Sequence, residues 1–249
     1  MNKTSVYENL LQKSKTNKLC LPLLDPVNFL DEEKLSNVIN KINKDLVDAF
    51  LVGGSTLVSQ EDLDQIITRL KSLADKPVII FPNNVSSISK KADAILYMML
   101  MNSNTTYYLI EAQMLASPLI ERYGLETIST GYVVINSDSA VSHIGHARAI
   151  PNIPELVGLY VLAAKHFGFK VVYLEGGSGT SSPLNGRLVK YCKDLFPGLL
   201  LVGGGITNPM RAKEIADNGA DGIVIGNLLE MQEGSEKFNE ICRTIKKPL

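Results

Sequence analysis

The chain has 249 residues, of which 45% are hydrophobic and 20% charged, a composition typical of a folded globular protein and not of a disordered or repetitive one. With 25 basic and 26 acidic residues the formal net charge is -1, so the basic excess that nucleic-acid-binding proteins use against phosphates is missing. No run of ~18 to 20 apolar residues is present, and the N-terminus lacks the apolar core of a signal peptide. We therefore expect a cytoplasmic protein that has no transmembrane segment and does not bind nucleic acid.

Short apolar runs recur along the chain, each closed by small, polar or acidic residues and followed by a helical pattern. Such continuous apolar runs are typical of parallel strands that are covered on both faces. The eight predicted strands are Leu19 to Leu24, Ala49 to Val52, Val78 to Phe81, Ala94 to Met101, Gly131 to Ile135, Val171 to Leu174, Leu199 to Val202 and Gly222 to Ile225.

Apolar residues at spacings of three and four predict helices between these strands. One stripe consists of Leu63, Ile66, Ile67, Leu70 and Leu73, and a second of Met114, Leu115, Leu119 and Ile120. The connection from Phe81 to Ala94 is weakly helical, so the third helix is expected to be short or missing. The longer polar segment from Asn136 to Pro154 is expected to lie over one end of the fold.

The alternation of strands and helices favours an α/β fold, a closed (β/α)8 barrel, although an open doubly wound sheet follows the same pattern. We find no linker or repeat that would divide the chain, so we predict that residues 1–249 form one barrel domain. The three cysteines, Cys20, Cys192 and Cys242, are widely spaced and indicate neither a disulfide framework nor a zinc site. We interpret them as reduced thiols in apolar surroundings.

Polar residues that follow the strands are the candidate site, because a parallel barrel carries its active site at the carboxyl ends of its strands. Gly203, Gly204 and Gly205 follow the seventh strand and precede a helix that begins near Pro209, an arrangement that suits a phosphate. Gly226 and Asn227 follow the eighth strand and would complete the cradle. The alternative is that these glycines only make tight turns.

Asp25 directly follows the first strand, and Ser55 follows the second. Their oxygens are the kind of hard ligand that Mg²⁺ accepts when substrate phosphates and water supply the rest. The pair Asp25-Pro26 is also an ordinary start of a turn, and the residues alone do not decide between the two interpretations.

Glu175 ends the sixth strand and opens a loop rich in glycine. Its carboxylate can accept hydrogen bonds from a polyol or take a proton from a hydroxyl nucleophile, and Tyr173 can add a hydrogen bond. The alternative is a loop charge or a structural ion pair. His143 and His146 are interpreted as surface histidines because no acidic or cysteine partners frame them. The strip of Tyr97, Met98, Met99 and Met101 suits either the barrel core or an apolar groove.

Several motifs together resemble one known family. They are Leu24-Asp25-Pro26, Val52-Gly53-Gly54-Ser55, Ile80-Phe81-Pro82, Leu100-Met101-Asn102-Ser103, the run from Tyr173 to Gly179, the run from Val202 to Ile206 and the run from Gly219 to Asn227. In this order they resemble the geranylgeranylglyceryl phosphate synthase family, which includes bacterial heptaprenylglyceryl phosphate synthases. The similarity runs nearly end to end.

The resemblance implies a modified (β/α)8 barrel whose third helix is replaced. It also implies a prenyltransferase: the 3-hydroxyl of sn-glycerol 1-phosphate attacks C1 of a polyprenyl diphosphate, most readily geranylgeranyl diphosphate, and diphosphate leaves. By similarity, Asp25 and Ser55 would hold Mg²⁺, and Glu175 would be the catalytic base. Glycerol phosphate would be bound by Tyr173, Leu174, Glu175, Gly176, Gly177, Ser178 and Gly179, and its phosphate by Gly204, Gly205, Gly226 and Asn227. A homo-oligomer, and a transient membrane contact for the lipid product, are also expected.

Some features depart from the family or fit other functions. Asn28 stands close after Asp25-Pro26, where many relatives carry a Lys or Asp, and a lost positive charge there would weaken diphosphate binding. One rival hypothesis is a phosphosugar isomerase or synthase, but no strand ends in the Lys that a Schiff base needs. Another is a non-catalytic barrel that binds glycerol phosphate or lipid, which the presence of Asp25 and Glu175 disfavours.

Overall fold

The computed structural model describes residues 5–54, 59–136, 139–177 and 184–246. Its strands are Leu19–Leu24 (β1), Phe50–Val52 (β2), Val78–Ile80 (β3), Ala94–Leu100 (β4), Glu126–Val134 (β5), Val171–Glu175 (β6), Leu199–Gly203 (β7) and Gly222–Ile225 (β8). All neighbouring strands are parallel, and β8 pairs with β1, so the sheet closes into a barrel. The structure confirms the predicted (β/α)8 barrel and excludes the alternative of an open sheet. That residues 1–249 form one domain stays a prediction.

Helices surround the barrel. Those in the described ranges are Val6–Ser14 (α1), Glu32–Lys41 (α2), Gln60–Leu73 (α3), Ala112–Tyr123 (α4), Ala140–Ile144 (α5), Pro154–His166 (α6), Gly186–Leu195 (α7), Pro209–Asp217 (α8) and Gly234–Ile245 (α9). Residues 81–93, between β3 and β4, contain no helix. This confirms that the helix expected after β3, the third of the barrel's eight βα units, is replaced. Across the part of the chain described, no helix has both the length and the apolar character that a bilayer crossing requires.

Two apolar layers hold the fold together, because successive residues of a strand point to opposite faces. In β6, Val171 and Tyr173 point into the barrel, whereas Val172 and Leu174 point outward against the helices. The interior layer is closed at the amino-terminal rim by α1, which contributes Val6, Tyr7 and Leu10.

β5 begins at Glu126, five residues before the predicted start at Gly131, because residues from Glu126 onward pair with β4, and the polar Glu126 contacts α1. Glu126 accepts hydrogen bonds from the Ser5 hydroxyl at 2.6 Å and from the Val6 and Tyr7 amides at 2.7 and 2.9 Å. A helix leaves its first amides without partners, and this carboxylate satisfies two of them. The polar start of β5 therefore serves α1, and an apolar pattern alone does not reveal it.

The interpretation of three reduced cysteines is wrong for two of them. Cys20 on β1 and Cys242 on α9 form a disulfide, with their Cα atoms 5.8 Å apart. Both side chains are fully buried in the outer layer, where the first strand meets the last helix. A separation of 222 residues gives no sequence signal of such a pair. Cys192 remains a free thiol, and burial raises its pKa to about 12.

The predicted stripe on α4 is only partly correct. Ile120 is buried, but Met114 and Leu115 are 58% and 57% exposed. The buried face instead includes Ala116 and Gln113, whose amide donates hydrogen bonds to the carbonyls of Met98 and Tyr108. A polar side chain with backbone partners thus takes the place that a hydrophobicity pattern assigns to methionine and leucine.

Candidate active site

The carboxyl ends of the eight strands meet at one rim of the barrel, and a cavity of about 390 Å³ opens there. Loops after β6, β8, β1 and β2 supply its polar side, which includes Glu175, Gly226, Asn227, Asp25 and Gly54. β4 and α4 supply its apolar side, which includes Ile95, Tyr97, Met98, Ala112, Ala116 and Ile120. Tyr97 and Met98 line this cavity and also pack against the two core layers, so both interpretations of the strip apply to these two residues.

Glu175 lies at the centre of the polar side. Its side chain is buried, and its Oε1 accepts a hydrogen bond of 2.8 Å from the amide of Gly177. Oε2 accepts a hydrogen bond of 3.1 Å from the hydroxyl of Tyr132, and Tyr173 donates another to this carboxylate. Burial raises the pKa of the Glu175 carboxyl, while the three hydrogen bonds oppose that shift. A buried carboxylate held in this way is suited to accept a proton.

Tyr132 on β5 is a site residue that sequence reasoning missed. Its ring packs against Tyr173 at 4.9 Å and edge-on against Phe81 at 5.8 Å. Burial, and after it the charge of Glu175, raise the pKa of both tyrosines well above the ordinary value, so both hydroxyls stay protonated as donors. The one feature of the sequence that could have indicated Tyr132 is its inward position in β5, the strand between β4 and β6.

The glycine-rich loop begins beside Glu175. The amide of Gly176 donates to the carbonyl of Gly203 at 2.8 Å, which ties the loops after β6 and β7 together. Leu174, also predicted to bind substrate, points into the outer layer, so it can reach the rim only through its backbone. Ser178 and Gly179 lie outside the described residues.

The glycines after β7 are required by close contacts. Gly204 has φ +89°, and a Cβ there would lie 2.2 Å from Oε1 of Glu175 and 2.5 Å from the amide nitrogen of Gly177. Gly205 also has a positive φ, at +68°. The turn directs the chain into α8, which begins at Pro209. Gly204 therefore both makes the turn and leaves room for Glu175. The first amides of α8 are already used, because Pro209 has no N–H and the Asn208 side chain accepts hydrogen bonds from the amides of Met210 and Arg211 at 2.8 and 3.3 Å.

Gly226 and Asn227 complete the arrangement on β8. Gly226 lines the cavity, and a Cβ there would meet protein atoms only at 3.7 Å, an ordinary contact. The surroundings of Gly226 thus leave room for a side chain, and a close approach by a ligand at this glycine stays a prediction. By contrast, Gly176, Gly177, Gly204 and Gly205 are not among the described residues that line the cavity.

Asp25 lies on the same rim, half-buried, and its Oδ1 accepts a hydrogen bond of 3.2 Å from the amide of Val27. A Cβ at Gly54 would be only 2.1 Å from its Oδ2, so a residue without a side chain is needed there. Glu230 lines the same cavity. Burial and the charge of Asp25 raise the pKa of Glu230, while Asn28 and Lys34 oppose the shift.

Asp25 suits a Mg²⁺ ion whose remaining ligands come from the substrate and water. Among the described residues, no group of three or more His, Cys, Asp or Glu side chains is placed to hold a metal alone. Mg²⁺ commonly binds one or two carboxylates together with substrate phosphates and water, and the oxygens of Asp25 are of that kind. Ser55, the second predicted ligand, lies outside the described residues. The magnesium site stays a prediction.

The polar segment after β5 reaches the same rim. Ala140, Val141, Ile144 and Gly145 line the cavity, so this segment lies over the carboxyl end of the barrel as expected. His143 and His146 are both exposed.

Fold and site together define a (β/α)8 barrel enzyme whose cavity joins a buried carboxylate and the glycine-containing loops after β2 and β8 to an apolar groove. The model of the PcrB family matches residues 12–247. The chain is 41% identical over 240 residues to the geranylgeranylglyceryl phosphate synthase of Sulfolobus acidocaldarius, covering 95% of this chain and 91% of that protein. It is 44% identical over 212 residues to the synthase of Methanopyrus kandleri, covering 84% and 87%.

A solved structure agrees. The (S)-3-O-geranylgeranylglyceryl phosphate synthase from Thermoplasma acidophilum, in complex with its substrate sn-glycerol-1-phosphate, has a TM-score of 0.92 at 33% identity, covering 98% of this chain and 99% of that one. The chain belongs to the PcrB family. The predicted family and enzyme class, a prenyltransferase of ether lipid synthesis, are confirmed.

Proposed function

We propose that this chain joins the 3-hydroxyl oxygen of sn-glycerol 1-phosphate to C1 of a polyprenyl diphosphate, with geranylgeranyl diphosphate as the expected donor. The new C–O bond forms as the bond between C1 and the diphosphate oxygen breaks, and diphosphate leaves with its electron pair. The observation that carries the proposal is the buried carboxylate of Glu175, held by two tyrosines between glycine loops and an apolar groove.

Each side of the cavity has its own part in the reaction. The loops after β7 and β8, with Gly204, Gly205, Gly226 and Asn227, would hold the phosphate through backbone amides. Tyr173 and Glu175 would orient the glycerol hydroxyls, and Glu175 would take the proton of the attacking hydroxyl. The groove along β4 and α4 is apolar and suits the prenyl tail.

Asp25 and Ser55 would hold Mg²⁺, which when bound neutralises charge on the diphosphate. The cytoplasmic location, the homo-oligomer and a transient membrane contact for the lipid product stay predictions.

The direct test incubates the purified protein with Mg²⁺ and radiolabelled sn-glycerol 1-phosphate. Farnesyl, geranylgeranyl or heptaprenyl diphosphate is added as the donor in separate reactions. We expect a labelled ether lipid and one diphosphate released for each ether formed, most rapidly with the geranylgeranyl donor. The matched control replaces the glycerol phosphate by its enantiomer, sn-glycerol 3-phosphate, which should react much more slowly. Binding of sn-glycerol 1-phosphate without turnover of any donor would contradict the proposal and favour a non-catalytic barrel.

A further inference from the structure

Asn102 follows β4 at the active-site rim, but it does not face the cavity. Its side chain is 3% exposed, and its Nδ2 donates to the carbonyls of Val134 at 2.9 Å and Arg148 at 3.0 Å. Its Oδ1 accepts a hydrogen bond of 3.0 Å from the amide of Val134. Both amide hydrogens and one lone pair are thus used on the backbone of other segments, which leaves Asn102 without a donor for substrate.

One of those segments is a wall of the cavity. We define the wall segment as residues 139–148, which contain α5. Five of its residues line the cavity: Ser139, Ala140, Val141, Ile144 and Gly145. The segment is not one of the barrel's strands. An isolated antiparallel bridge between Ser103 and Ala147, with a hydrogen bond of 2.9 Å from the Asn104 amide to the His146 carbonyl, and side-chain contacts hold it in place.

The residues around Asn102 supply these contacts. The Asn102 carbonyl accepts a hydrogen bond of 2.7 Å from the Arg148 amide, and the Ser103 hydroxyl donates to the Gly145 carbonyl at 2.7 Å. Wall and strand also pack closely, since a Cβ at Gly145 would lie 2.4 Å from a methyl carbon of Leu100. Asn102 is the buried centre of this attachment, because its side chain binds both β5 and the wall segment.

We propose that Asn102 is a positioning residue that seats the wall segment and thereby sets the affinity for the prenyl half of the donor. The inference rests on the proposed function. The side chains that the wall presents to the cavity are mainly apolar, and the wall packs against β4, which supplies part of the apolar side of the cavity. The phosphate-binding loops after β7 and β8 make no described hydrogen bond to the wall, so its displacement should affect one substrate and not the other.

The chain offers a matched control for the loss of a buried asparagine. Asn239 on α9 is 8% exposed, accepts a hydrogen bond of 2.7 Å from the Asn43 amide and donates one of 2.9 Å to the Lys41 carbonyl. These bonds hold the connection from α2 to β2 and lie away from the cavity. Asn239→Ala therefore removes comparable hydrogen bonds without touching the wall.

The kinetic test compares Asn102→Ala, Asn102→Asp and Asn239→Ala. We expect the KM for geranylgeranyl diphosphate to rise about tenfold or more in both Asn102 variants, because two or three buried hydrogen bonds are lost. The KM for sn-glycerol 1-phosphate should change less than about twofold, and Asn239→Ala should leave both values near wild type at a similar loss of thermal stability. Ser103→Ala, which loses only the bond to Gly145, should shift the donor KM in the same direction but less.

Hydrogen exchange followed by mass spectrometry gives a second readout that needs no substrate. Peptides that cover the wall segment should exchange faster in Asn102→Ala and not in Asn239→Ala. Three results would overturn the proposal. They are an unchanged hydrogen exchange in the wall segment, an equal rise in the KM values of both substrates, and an equal rise in the donor KM in Asn239→Ala. If wild type forms no ether, the proposed function fails, and the exchange experiment still decides whether Asn102 seats the wall. If Asn102→Ala does not fold, Ser103→Ala carries both measurements.

Discussion

Replacing Glu175 by glutamine separates two roles that the structure allows for this carboxylate. The amide can keep its carbonyl against the Gly177 amide, which lies 2.8 Å from Oε1, and can turn its NH₂ group toward Tyr132. The Tyr132 hydroxyl can then accept instead of donate. The variant should fold, bind glycerol phosphate and differ from wild type mainly in its inability to take a proton.

The two roles differ in magnitude. If Glu175 is the general base, turnover should fall by about 100-fold to 10,000-fold, which corresponds to roughly 2.7 to 5.4 kcal/mol on the barrier. If it only orients the glycerol, the loss is that of one hydrogen bond to a charged group, about 1.5 to 3 kcal/mol, or roughly a factor of 10 to 160. A loss well above about 100-fold therefore indicates the general base, and a smaller loss is decided by the pH profile.

The pH dependence gives an independent check. Burial raises the pKa of Glu175, so the acidic limb of the wild-type kcat profile should lie above that of an ordinary carboxyl group and should be absent in Glu175→Gln. Because the folded-state pKa is raised, the ionised side chain costs stability as pH rises through that pKa. Glu175→Gln should therefore raise the melting temperature at neutral pH, and this gain should vanish below the pKa of the unfolded chain. A fully active variant with an unchanged pH profile would refute both roles.

Three further perturbations test other parts of the account. Asp25→Asn should nearly abolish Mg²⁺-dependent turnover and leave sn-glycerol 1-phosphate binding by calorimetry intact, and near-normal turnover would exclude Asp25 as the principal metal ligand. Gly226→Ala should raise the KM for sn-glycerol 1-phosphate without lowering the melting temperature, since a Cβ there meets protein only at 3.7 Å; an unchanged KM would argue against a ligand at this glycine. Replacing Cys20 and Cys242 together by alanine should lower the free energy of unfolding by up to about 5 kcal/mol, because the disulfide closes a loop of 222 residues. Equal denaturation curves for the variant and wild type would contradict the disulfide.

Much of the fold follows from the sequence because parallel strands covered on both faces leave continuous apolar runs. β1 and β8 match their predicted bounds, and the poor helical pattern after Phe81 correctly marks the replaced helix. Two of the errors occur where polar side chains bind backbone groups. Glu126 caps α1 and hides the start of β5, and Gln113 occupies a buried face that the pattern assigns to apolar side chains.

The site was predictable where residues directly follow strands, and less so within strands. Asp25, Glu175 and Gly226 do line one cavity, because the barrel brings their strand ends together. Tyr132 could not be assigned to the site, since an inward aromatic residue in a strand looks like core until its neighbours are known. The Cys20–Cys242 pair depends on the closure of the whole barrel, which no local pattern encodes.

The most direct test of the central claim is a crystal structure of this chain with sn-glycerol 1-phosphate bound. The account predicts the phosphate against the backbone amides of the loops after β7 and β8. It also predicts the 3-hydroxyl within hydrogen-bond distance of a Glu175 carboxylate oxygen, facing the apolar groove. A phosphate bound elsewhere, or a 3-hydroxyl turned away from Glu175, would contradict it.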